Sequence, residues 1–387
     1  MKRSITVLMT LISIHFSGQI FANIGQSETR SEEVIQKSKK THNNKVQIAL
    51  LLDTSNSMDG LINQAKAHLW DIVNEFTYVR CGNSSRPDLE IALFQYGNND
   101  LSSREGYIQQ VLAFSSDLDE ISEKLFSLTT NGGEEYCGQV IHTSLKQLDW
   151  GRNPDHLRMI FIAGNEPFTQ GKLDYRDAVS QAKEKDVVVN TIFCGDYHQG
   201  IQTNWKNGAS LSGGEYTAID HNKEVVHIAT PYDDIIIRLN NRLNKTYISY
   251  GHAGAAKMAS QSVQDANAME LEEAVAVKRA VSKSSHLYKN SSWDLVDAAE
   301  ADDFDVGDID KKHLPASIRS KSDSELEAYI SMKKKERKVI QEEIRKQNSL
   351  RQKYIASKQK DQQGELENAM MNAIKNQASK KNYSWDN

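Results

Sequence analysis

Val46-Gln47-Ile48-Ala49-Leu50-Leu51-Leu52-Asp53-Thr54-Ser55-Asn56-Ser57-Met58 decides the fold. An apolar run ends abruptly in Asp-x-Ser-x-Ser. Directly behind it Met58, Leu61, Ile62, Ala65, Leu69, Ile72, Val73 and Phe76 recur mostly at three- and four-residue steps, the spacing of an amphipathic helix. Strand, polar loop and helix open an α/β sheet, and the loop falls outside the carboxyl end of the strand, where such sheets bind ligands. Asp53, Ser55 and Ser57 place three hard oxygen donors at alternate positions, so all three can face one side of a cation such as Mg²⁺ or Ca²⁺.

Outward from this stretch, strand-like runs recur at 89–96, 107–114, 157–163, 187–193 and 215–219, with helical patterns between most of them. The short turn Gly97-Asn98-Asn99-Asp100 makes the third run a hairpin partner of the second. The pattern predicts a doubly wound, mostly parallel six-stranded sheet with one antiparallel edge strand, closed by a helix over 233–244. The texture then changes. Residues 246–320 read as an irregular and helical segment that docks back on the domain through Trp293. Residues 321–387 are rich in Lys, Glu and Gln, with apolar residues too scattered for a sustained heptad. A long solvated helix is expected there, with oligomerisation through it as the sharper reading.

The chain has 387 residues, 39% hydrophobic and 26% charged, with a net charge of −5, and nothing in that balance points to nucleic acid. Residues 1–22, with basic Met1-Lys2-Arg3, an apolar stretch and Ala22, read as a cleaved secretory signal, and 23–44 as a polar leader. The mature chain is then expected to be periplasmic or secreted, without a membrane span. Cys81, Cys137 and Cys194 form no zinc or redox spacing. They are three inert thiols or include one disulfide, for which Cys137 and Cys194 are the more suitable pair. No Gly-x-Ser-x-Gly elbow, His-Glu-x-x-His or phosphate loop occurs, so no enzyme is expected.

The buried strand ending in Asp53-x-Ser55-x-Ser57, Gly132-Gly133 ahead of a helix, and a second buried strand ending at Gly164-Asn165 together resemble a von Willebrand factor type A domain over about 45–245, in a protein of the bacterial exported type. The resemblance implies a metal-ion-dependent adhesion site (MIDAS), with Asp53, Ser55 and Ser57 contacting Mg²⁺, or Mn²⁺ or Ca²⁺, and an acidic side chain of a protein partner completing the coordination. The other two loops depart from the family. Glu134-Glu135 stands where a threonine is usual, and Gly164 where the third loop has an aspartate. Glu134 or Glu135 is therefore a candidate ligand, with Asn165 holding a water. The function expected is a non-enzymatic protein-binding module with a divalent-cation site; the alternative is a metal-independent envelope scaffold that assembles through the fold and the C-terminal helix.

Overall fold

The computed structural model describes residues 44–81, 86–223, 227–358 and 365–385, all within one compact unit, Asn43–Asn387. The expected signal and most of the leader lie outside the described residues. The chain runs β1 (Lys45–Asp53), α1 (Asp59–Phe76), β2 (Val79–Cys81), β3 (Asp88–Tyr96), β4 (Ile108–Ser115), α2 (Leu118–Phe126), α3 (Cys137–Gln147), β5 (Leu157–Gly164), α4 (Tyr175–Glu184), β6 (Val188–Cys194), α5 (Tyr197–Gln202), α6 (Trp205–Ser212), β7 (Tyr216–Ile219) and α7 (Asp233–Asn244). Then follow α8 (Gly254–Leu271), α9 (Glu273–Lys283), α10 (Leu295–Ala298), α11 (Asp323–Lys358), α12 (Glu365–Ala378) and β8 (Tyr383–Trp385).

Six strands form one sheet in the order β4-β3-β1-β5-β6-β7, parallel except for β4, which runs antiparallel on the edge beside β3. β1 is central, pairing with β3 on one side and β5 on the other. Its run is apolar because both faces are covered. Ile48, Leu50 and Leu52 face the side of α1, and Ala49 and Leu51 face the side of α3 and α4. Burying a Val, Leu or Ile side chain stabilises a fold by about 1.5–3 kcal/mol, and this one strand carries five such residues and an alanine at 7% exposure or less.

Two features differ from the sequence reading. First, the C-terminal region is not a solvated tail. On α11 one stripe is buried, Leu326, Ile330, Ile340 and Ile344. Arg337 and Arg351 lie on the same stripe, held by Asp294 (2.6 Å) and Asp233 (2.7 Å). The apolar pattern is broken because arginines fill seam positions opposite aspartates. Second, α12 returns to the sheet beside α1, burying Leu366, Met370 and Ile374 in the same core as β1. β8 then pairs antiparallel with β2. Neither short strand is predicted by local pattern.

The three cysteines are buried and none is in a disulfide, so of the two readings the inert thiols hold and Cys137 and Cys194 are not bridged. No helix among the described residues is long and apolar enough to cross a membrane.

Candidate metal-binding site

Three loops meet at the carboxyl ends of β1, β3 and β5. The first is pinned by its backbone: Thr54 N–H donates to the Tyr96 carbonyl at 2.8 Å, and Ser55 N–H donates to Asp53 Oδ1 at 2.7 Å. Asp53 is fully buried and Ser55 nearly so, while Ser57 is exposed. The second loop is tied to the first, since Asn131 N–H donates to the Thr54 carbonyl at 3.0 Å. The third contributes Asn165, whose Nδ2 donates to Ser57 Oγ at 3.2 Å. Asp53, Ser55, Ser57 and Asn165 are thus brought to one place.

The adjacent glutamates part company. Glu134 points outward and is exposed, whereas Glu135 is 4% exposed. Glu135 N–H donates to Gln170 Oε1 at 2.6 Å, which fixes the backbone just before α3. Its side chain turns in towards Asp53. Both flank Gly97, where an added Cβ would lie 2.7 Å from Glu135 Cγ and 2.8 Å from Asp53 Oδ1; the glycine's φ of +75° favours glycine as well. Of the two glutamates, then, it is Glu135 that lies against Asp53. The Thr130 hydroxyl is turned away from this place and donates to Asp59.

Two carboxyls in one buried pocket raise each other's proton affinity. Burial, then the neighbouring Asp53, pushes the Glu135 carboxyl up to about 10. Burial also raises Asp53, partly offset by hydrogen bonds from Glu135 and Ser55. Without a cation the pair therefore keeps a proton at neutral pH, held between the two carboxyls. Glu166, exposed on the third loop, adds to the negative potential at both groups. Below them, burial pushes the Cys137 and Cys194 thiols up, and the two carboxylates add to the effect.

Four oxygens at this place are buried with no hydrogen-bond partner among the described residues outside their own cluster: Asp53 Oδ2, Ser55 Oγ, Glu135 Oε2 and Asn165 Oδ1. Buried polar atoms are normally satisfied. A convergent, acceptor-rich set of this kind, all oxygen, fits a hard divalent cation.

Tyr96, at the end of β3, explains the third loop's departure and was not flagged by any sequence motif. Its hydroxyl donates to the Ala163 carbonyl at 3.0 Å. A Cβ at Gly164 would lie 2.5 Å from that hydroxyl and 3.0 Å from Asp53 Oδ2. The usual aspartate has no room here, and the second carboxylate arrives from Glu135 instead. Gly164→Asp is accordingly expected to lower stability by about 1–3 kcal/mol, the typical cost of overpacking. Urea denaturation of the variant measures it, and a midpoint equal to wild type would contradict the steric account.

A second group, His68, Asp71 and Glu367, brings potential ligand atoms within 4.8 Å. The Lys278 ammonium already holds Asp71 at 2.5 Å. Burial opposes protonation of His68, but Asp71 and Glu367 outweigh it and raise its affinity for a proton. This group is an ion-pair network that ties α12 to α1.

Residues 47–204 match the family model of the von Willebrand factor type A domain. Among solved structures, the chain is similar to proximal thread matrix protein 1 from the mussel byssus with a zinc-occupied MIDAS motif, at 15% identity and a TM-score of 0.36, over 47% of this chain and 43% of that one. It is also similar to BatB from Bacteroides thetaiotaomicron, at 16% identity and 0.34, over 45% and 90%. The VWA domain of SpRpn10 follows at 13% identity and 0.34, over 46% and 88%. The chain thus spans less than half the length of the mussel protein. No curated protein matches it. Domains of this type generally serve as interaction modules rather than enzymes. With the matched segment, the central β1 and the antiparallel edge strand in agreement, residues 47–204 of this chain are a von Willebrand factor type A domain.

Proposed function

We propose that this chain is a non-enzymatic, protein-binding module whose recognition site is a divalent cation held by Asp53, Ser55, Ser57 and Glu135, with Asn165 orienting Ser57 and a water. The observation that carries the reading is the set of four buried oxygens with no partner outside their own cluster, around two facing carboxyls. A resident Mg²⁺ or Mn²⁺ would replace the shared proton and supply an open, electrophilic coordination position for an acidic side chain of the partner. Two inner carboxylates would offset the ion's charge more fully than one carboxylate with serine hydroxyls. The site would then hold metal firmly and the partner's carboxylate more weakly. A periplasmic or secreted location fits the N-terminal reading.

Isothermal titration of the purified chain with Mg²⁺ and Mn²⁺ tests the site. Saturable binding to wild type is expected, together with loss of detectable heat in Asp53→Ala. Binding that survives Asp53→Ala, or none in wild type, would remove the cation from the proposal. It would leave the metal-independent scaffold, in which a protonated Glu135 satisfies the pair.

A further inference from the structure

We propose that a basic groove at the far end of the domain binds an extended polyanion carrying two or more phosphate groups. The groove, of about 570 Å³, lies between the end of α1, the segment after α9, and α11. α1 begins beside the Asp53 loop, and its 18 residues carry the chain about 27 Å away at 1.5 Å per residue, so the groove is remote from the cation site.

Six cationic and two acidic side chains line it, in a protein whose net charge is −5. The acids are already engaged: Glu300 with Lys334 at 3.5 Å, and Asp297 with Arg337 at 2.6 Å. The other four cations, Arg86, Lys289, Lys338 and Arg345, face no carboxylate among the described residues. Arg86 donates to His286 Nδ1 at 3.3 Å, and Arg345 to the Ser284 carbonyl at 2.6 Å. Like charges gathered without counter-charge raise the free energy of the empty groove, and an anion relieves it.

His286 reports the same field. Burial first, then Arg86 and Lys289, push its imidazole down to about 4, so it is neutral. With Nδ1 accepting from Arg86, Nε2 carries the proton, and that donor is buried without a partner. A donor left unpaired beside four cations suits an oxyanion. Tyr78, 48% exposed, offers a ring face at the same groove.

The length of the ligand follows from α11. Lys338 and Arg345, the two α11 cations that face no carboxylate, stand seven residues apart on one helix face with Gln341 between them. They are about 10 Å apart along the helix, too far for a single phosphate to bridge. Each phosphate group brings about 1.5 to 2 negative charges at neutral pH, so two or three of them balance four cations. Single carboxylates would need a longer, more heavily substituted scaffold.

The test uses the full chain in low-salt buffer without divalent metal, titrated calorimetrically with inorganic tripolyphosphate, orthophosphate and an oligoglutamate peptide. Tripolyphosphate is expected to bind saturably, at least about tenfold more tightly than orthophosphate, and to weaken steeply with added salt. Lys289→Glu combined with Lys338→Glu should weaken it by a further factor of about ten or more without lowering the melting temperature, because both side chains are exposed and unbonded and their removal relieves repulsion in the empty groove. Lys338→Gln alone should show a smaller loss, and Asp53→Ala none. Absence of saturable binding, equal binding by the double variant, or binding of oligoglutamate alone would each overturn the proposal.

Discussion

In EDTA, raising the pH from about 5 to about 9 is expected to destabilise the folded chain progressively, and Mg²⁺ or Mn²⁺ to reverse most of the loss. The sign comes from Glu135. Its folded carboxyl is raised to about 10 from an ordinary value of 4.5. A group raised in the folded state contributes its full stability below the unfolded value and loses it as pH climbs through the folded one. At pH about 7 the unfolded chain already releases this proton and the native chain does not. A tenfold difference in proton affinity is worth about 1.4 kcal/mol, so the loss by this pH is of the order of 3 kcal/mol. The Asp53 carboxyl, raised by burial, works in the same direction. A cation removes the need for the proton, so its stabilising effect should grow with pH. Glu135→Gln keeps the shape and deletes the titration. It should flatten the pH dependence in EDTA, raise metal-free stability at pH about 8, and shrink the response to metal. Thermal melts across pH, with and without metal, measure all three. A wild-type Tm in EDTA that is flat from pH about 5 to 9 would show that the two carboxyls do not share a proton.

Much of the core architecture is legible locally. The inner strands β3, β1, β5 and β6 fall where apolar runs lie between turn residues, since a strand covered on both faces must be apolar almost throughout; the edge strands β4 and β7 show only partly apolar runs. The Asp53 loop is legible for a related reason: polar donors directly after such a run have only the carboxyl end of the sheet to occupy. Choosing Glu135 over Glu134 is not. The two are neighbours of the same type, and only the turn fixed by Gln170 sends one inward. Tyr96 is equally hidden, because its effect on Gly164 requires knowing that β3 and β5 both flank β1. The C-terminal helices mislead for a different reason. Polarity reads as solvent exposure, yet Arg279, Lys283, Arg337 and Arg351 are buried against acids far away in sequence.

Arg279→Met is expected to cost about 3–5 kcal/mol, the usual penalty for breaking a buried ion pair from one side. Arg279 is 1% exposed and joins three elements. Its guanidinium donates to Asp119 of α2 at 2.7 Å and to Asp265 of α8 at 2.6 Å, and it lies 5.0 Å from the Trp70 ring centre on α1. Lys283 holds Asp265 at 2.9 Å, and the Tyr288 hydroxyl donates to Asp119 at 2.6 Å. Two cations and two carboxylates therefore balance in a largely buried cluster. Methionine keeps the aliphatic stem, so the loss would come from the missing guanidinium and its ion pairs. It leaves Asp119, 3% exposed, with only a tyrosine for company. Asp119→Asn in the Arg279→Met background should return part of the loss, because the stranded charge is gone. The two changes would then be strongly non-additive, as groups in one network are. Urea midpoints of the two single variants and the double variant close the cycle. Additive losses would mean that Arg279 acts through Asp265 and Trp70 and not through Asp119. Non-additive ones would mean that α8 and α9 are joined to the von Willebrand factor type A domain through charge, and that a chain truncated at Tyr250 cannot keep α2 in place.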